Sequence, residues 1–83
     1  MALRFVGIDP ATAETGSPTV WVDEETHDIV VQGWTADEAL RQLITETPAP
    51  GHAAGIPAHE SAVRIPARLA AALRAACDVA EGP

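Results

Sequence analysis

Eighty-three residues with a formal charge of −7, no lysine, one cysteine and 47% hydrophobic content read as one small acidic domain, 1–83, with little core to spare. The acidity repels phosphate backbones and anionic lipid, so neither direct nucleic-acid binding nor membrane association is expected, and the missing lysine excludes Walker-type phosphate loops and lysine Schiff-base chemistry. Cys77 lacks a partner for an intramolecular disulfide, no apolar run is long enough to span a bilayer, and Met1 to Gly7 does not read as a signal peptide, which makes the cytoplasm the expected compartment.

Leu3 to Ile8 is a short apolar run before Asp9-Pro10 and a polar stretch through Gly16. Residues 1–16 are therefore expected to be extended or to form an edge strand, with Leu3, Phe5 and Ile8 available for burial. The next stretch, residues 17–34, holds two β-rich runs around the polar tip Asp23-Glu24-Glu25-Thr26-His27-Asp28 and reads as a hairpin. A six-residue loop at that tip sets Val22 opposite Ile29 and Val20 opposite Val31. Side chains alternate along a strand, so Val20, Val22, Ile29 and Val31 share a core face, while Thr19, Trp21, Val30, Gln32 and Trp34 share the other.

Thr35-Ala36-Asp37-Glu38 has the spacing of a capping box with Thr35 as N-cap, and predicts a helix whose inner face is Ala36, Leu40, Leu43, Ile44 and Thr47, ending at Pro48. Residues 47–60, rich in Pro and Gly and without a period, are expected to be a long flexible connection. Ser61 to Ile65 alternates and predicts a further strand closed by Pro66. From about Ala67 a second helix follows, with Leu69, Leu73, Ala76, Cys77 and Ala80 on its apolar stripe.

The charge is concentrated. Residues 1–46 carry nine acids against Arg4 and Arg41, whereas residues 47–83 carry three acids against Arg64, Arg68 and Arg74, so the whole net charge lies in the hairpin half. A basic partner fits this better than an acidic one. His27, His52 and His59 match no ligand spacing, and the tip lacks the alternating carboxylates, central Gly and final Glu of a calcium loop, so no metal and no cofactor are expected. Ser17 and Ser61 sit in no nucleophile elbow, Cys77 lies on an apolar stripe, and no nucleophile, base and stabiliser can be assembled: no enzyme is expected.

One alternative comes from Ala62-Val63-Arg64-Ile65-Pro66-Ala67-Arg68-Leu69, a short strand entering a helix through proline, as at the start of a ribbon-helix-helix DNA-binding protein. There Arg64 would enter the major groove and Arg68 would approach phosphate, but the overall charge opposes it and that fold needs another helix. A second alternative is a homodimeric structural protein without other partners.

Ser17-Pro18-Thr19-Val20-Trp21, Val30-Val31-Gln32-Gly33-Trp34 and His59-Glu60-Ser61-Ala62-Val63-Arg64-Ile65-Pro66 resemble blocks shared by a group of small, acidic actinobacterial proteins of uncharacterised function, often encoded beside helix-turn-helix regulators. The resemblance spans roughly residues 16–70. It implies association with a regulatory system and supplies no catalytic residues.

The expected fold is α+β in the order (β)-β-β-α-β-α, a small antiparallel sheet of about three strands with two helices on the Val20, Val22, Ile29, Val31 face, packed through Leu40, Leu43, Ile65, Leu69 and Leu73. The expected function is a non-catalytic protein-interaction module, an accessory partner in transcriptional regulation that binds a basic or DNA-binding regulator. Its expected site is the second face, Trp21, Val30, Gln32 and Trp34, with the acidic tip Asp23, Glu24, Glu25 and Asp28; the alternative for that face is a cover of Leu3, Phe5 or one of the two helices, so that the sheet is buried on both sides.

Overall fold

The computed structural model of the chain describes residues 2–11 and 17–82. It is a small α+β fold whose chain divides into two compact units, one made of Met1–Gly33 with Ile65–Pro83 and the other of Trp34–Arg64.

In the first unit, β1 (Leu3–Ile8), β2 (Thr19–Asp23) and β3 (Ile29–Gln32) form an antiparallel sheet in the order β1-β2-β3. The initial apolar run is thus an edge strand, as expected for its Leu3–Ile8 portion, while residues 12–16 lie outside the described residues. Val20 faces Val31 and Val22 faces Ile29, the register that alternation predicts. A 3₁₀ turn, Ala67–Leu69, leads into α2 (Ala70–Glu81), which packs on β1 and β2.

The core is narrow. Val20, Val22, Leu69 and Ala76 are buried in it, and Val6, Ile65, Ala72, Leu73, Val79 and Ala80 line its margin. Complete burial stabilises by about 1.5–3 kcal/mol for each side chain the size of Val20, Val22 or Leu69. Ile29 and Val31, expected in the same core, are exposed and half-buried. The reason is topological: β1 occupies the far edge of β2, so β2 is central, the helix lies over β1 and β2, and β3 is left at the rim. Cys77 is also exposed rather than packed. The helical stripe is centred on Ala76, with Ala72, Leu73, Val79 and Ala80 three or four positions away, and one further residue turns Cys77 about 100° out of it.

Alanine on that stripe brings helix and strand unusually close. A Cβ added at Gly7 would stand 2.6 Å from the Ala72 Cβ, so only glycine fits there. Gly7 follows a bulge: the register shifts between Phe5, which pairs with Trp21, and Gly7, which pairs with Val20.

The second unit holds β4 (Trp34–Thr35), α1 (Glu38–Glu46) and β5 (Val63–Arg64). The expected strand around residue 63 exists, but it pairs antiparallel with β4, Trp34 against Arg64 and Thr35 against Val63, in a ribbon separate from the three-stranded sheet. That pairing also corrects the capping box. Thr35 is held in β4 and Ala36 N–H donates to Ala62 O at 3.3 Å, so the cap moves to Asp37, whose Oδ1 accepts from Leu40 N–H at 2.9 Å. Helix α1 contributes no buried residue and Leu43 is 57% exposed, so the expected packing through Leu43 is not built. Residues 47–60 run as successive turns, with Gly51 and Gly55 at positive φ.

Gly7→Ala is expected to lower stability by about 1–3 kcal/mol through overpacking, read by urea denaturation, and Ala72→Gly in the same chain is expected to recover part of that loss. No recovery would mean that Gly7 is needed for the bulge instead of for the contact. Asp37→Ala is expected to cost about 1 kcal/mol where Thr35→Ala does not show a capping loss, measured by the same unfolding curves.

Candidate functional site

The outer face of the first unit's sheet follows from its register. Residues directly opposite one another share a face, so the pairs Phe5↔Trp21 and Trp21↔Val30 make one row across all three strands. Leu3, opposite Asp23, and Ile8, opposite Thr19, belong to the same face. Strict alternation would turn Ile8 toward the helix; the extra residue of the bulge returns it outward. Helix α2 covers the other side, through Val20 and Val22. The outer face therefore presents Leu3, Phe5 and Ile8 at 49%, 58% and 48% exposure, beside an exposed Val30 and a half-buried Trp21. Leu3 and Phe5 widen this apolar face and do not lie over it.

Of the residues expected in the site, Trp21, Val30 and Gln32 share this face. Gln32 is partly committed, its Nε2 donating to Ser17 O at 2.7 Å. Trp34 is not in this sheet. Gly33 ends β3, and Trp34 begins the β4–β5 ribbon of the second unit, opposite Arg64, so the strand parity that grouped the two tryptophans does not carry past Gly33.

The acidic tip is ordered by its own carboxylate. Asp23 Oδ1 accepts from Glu25 N–H at 2.9 Å and Thr26 N–H at 3.2 Å, and those two donors hold its carboxyl below the usual carboxylate range. His27 N–H donates to Asp23 O at 2.8 Å, Asp28 N–H donates to Thr26 Oγ1 at 3.2 Å, and His27 closes the loop with φ 67°. Asp23 thus builds the loop, while Glu24, Glu25 and Asp28 are exposed.

The strongest polar interaction was invisible at sequence level. The Asp9 side chain is fully buried and meets the Arg68 guanidinium in a two-point pair, Nε donating to Oδ1 at 2.6 Å and Nη2 to Oδ2 at 2.7 Å. Ala11 N–H also donates to Oδ1, at 3.0 Å. The Arg68 hydrogen bonds, with that of Ala11, hold the Asp9 carboxyl below its ordinary range against the opposing effect of burial, and the same pairing raises Arg68. Asp9 N–H donates to Pro18 O at 2.9 Å, so the pair ties the end of β1 to the start of the helical segment. A phosphate approaching Arg68 would have to displace this carboxylate. Arg64, the other residue of the DNA-binding alternative, lies in a strand already paired within the chain.

Among the described residues, no three His, Cys, Asp or Glu side chains come together to hold a metal ion, and no helix is long and apolar enough to cross a membrane. The second unit has an open groove of about 430 Å³ between the end of α1 and the turns after it, walled by Ile44, Pro48 and Pro57 with His52 and Glu60, both exposed, among its lining. Comparison with protein-family models, curated proteins and solved structures finds no match.

The Asp9 pair gives stability a defined acid limb. A lowered folded-state pKa means that its contribution is fully present above the ordinary carboxylate range and is lost as pH falls through the folded value. Asp9→Asn is therefore expected to destabilise most at neutral pH, with the gap from the parent protein narrowing below about pH 4. Melting temperatures between neutral pH and pH 2 check this; a constant gap would assign the loss to packing.

Proposed function

We propose that the chain is a non-catalytic protein-interaction module that docks a basic partner on the outer face of the β1-β2-β3 sheet, and that it serves as an accessory component of a transcriptional regulatory system. The observation that carries the reading is the registered row of Phe5, Trp21 and Val30, extended by Leu3 and Ile8 and left open on a protein with a small core. Aromatic and aliphatic side chains on a rigid sheet are suited to anchor an interface. The tip beside it carries Glu24, Glu25 and Asp28, which attract positive charge and raise the rate of encounter. The regulatory setting is supported by the resemblance to proteins encoded beside helix-turn-helix regulators. A second copy of this chain would cover the apolar row equally well, but would bring another net −7 to the same place, so a basic protein is favoured.

Phe5→Ser with Val30→Ser is expected to leave the fold intact, because both side chains are exposed, and to weaken capture of the partner from the native host by about tenfold or more. Reversing Glu24 and Glu25 to lysine is expected to slow association at low salt and to have little effect at high salt. Unchanged partner capture in both variants would refute the reading.

A further inference from the structure

The geometry points to strand addition at the free edge of β3: the partner binds as an extended basic segment that becomes a fourth strand of the sheet. This rests on the interaction reading above and specifies how that face is engaged.

The ladder shows which backbone groups are available. Asp23 N–H donates to Asp28 O at 2.9 Å, and closely bonded pairs recur every second residue, so Trp21 with Val30 and Thr19 with Gln32 bond across β2 and β3. On the other side of β2, Glu24 N–H donates to Ala2 O at 3.0 Å and Asp9 N–H to Pro18 O at 2.9 Å, which assigns the even-numbered positions to β1. In β3 the N–H and C=O groups of Ile29 and Val31 consequently point away from β2, at the end of the strand order.

The two edges of the sheet are treated differently. β1 is interrupted by the bulge after Phe5 and carries Arg4, both devices that discourage pairing with another chain. β3 reads Ile29-Val30-Val31-Gln32, with no charge, no proline and a regular register, so among the described residues it is the edge open to a new strand. A strand laid beside it continues the outer apolar row from Val30 and, at one end, runs next to Asp28 and the exposed Glu24 and Glu25. Charge complementarity therefore selects an occupant that alternates apolar and basic residues. A second copy pairing through β3 would bring the same acidic net charge instead.

The probe is a synthetic peptide of alternating valine and arginine, compared with a valine and glutamate peptide of equal length, on the full chain at low salt. Amide hydrogen exchange at Ile29 and Val31 is expected to slow by about tenfold or more with the arginine peptide and to stay unchanged with the glutamate peptide. Val31→Pro removes an N–H that makes no bond within the sheet, so protection of the Trp21 and Val30 amides is expected to persist while peptide binding is lost. Ile29→Pro, at the first position of the strand, serves as the second variant should Val31→Pro disturb the ladder. Binding that leaves the Ile29 and Val31 amides unprotected, or that survives both proline variants, overturns strand addition and leaves the interaction reading standing. So does a failure of the arginine peptide to bind while Phe5→Ser with Val30→Ser still abolishes partner capture. Protection that grows with protein concentration in the absence of peptide overturns it in favour of a second copy. If the peptide fails and partner capture is also indifferent to the face, both readings fall.

Discussion

The packing of an alanine-lined helix against two valines of a single strand is the constraint on which the first unit depends. Val20 and Val22 reach full burial because α2 lies close over β2, and it can do so because Ala72 and Ala76 present almost no side chain and Gly7 presents none. Close approach replaces bulk as the means of excluding water. Such a core gains from dispersion contacts and tolerates little change of volume, since one added methyl at the strand–helix contact has nowhere to go. Where the helical segment begins, Asp9 and Arg68 fix it to the end of β1 by a directional, two-point pair in place of apolar area. Packing and ion pair act on the same two elements, so the position of α2 on the sheet is set at both its middle and its start.

A helix that covers one side of a three-stranded sheet leaves the other side to solvent or to a partner. Antiparallel sheets commonly resolve this by alternating apolar with polar residues. Here the outward positions are Leu3, Phe5, Ile8, Trp21 and Val30 as well as Asp23, Gln32 and a buried Thr19, so the polar half of the pattern is only partly present. The bulge sharpens the point. Without its extra residue Ile8 would face the helix; with it, three apolar side chains of β1 line the outer face while Val6 and Gly7 serve the core side. One irregularity in β1 thus serves both the tight core and the open face.

What could be read from the residues in advance was whatever depends on near neighbours in sequence. The hairpin register follows from period-two alternation across a short loop, and it is the register observed. The second helix, its proline entrance and its glycine end are local signals too. Failures begin where a distant segment decides. Thr35 and Asp37 both have the chemistry of an N-cap, and the pairing of Thr35 with Val63 settles between them. Counting parity through Gly33 groups Trp34 with Trp21, but β3 ends at Gln32. The Asp9–Arg68 pair spans 59 positions with no spacing rule to announce it, and the order of the sheet, which puts β2 at the centre and exposes Ile29, depends on β1 reaching it from across residues 9–18.

Charge and apolar surface in the first unit have separable consequences for binding. Glu24, Glu25 and Asp28 are solvent-exposed and screened by salt, so in the proposed interaction they would act mainly during approach and add little once contact is made. Asp23 is spent on the loop itself, through its hydrogen bonds to the Glu25 and Thr26 amides, which hold those exposed carboxylates at one end of β3 instead of spreading them over a mobile segment. In the proposed complex, the row through Phe5, Trp21 and Val30 and the outward backbone groups of Ile29 and Val31 would lose water only on contact, and so would govern how long a partner stays. In the interaction proposed above, recognition would therefore have two stages that respond differently to ionic strength: the tip would set the rate of arrival, and the sheet the rate of departure.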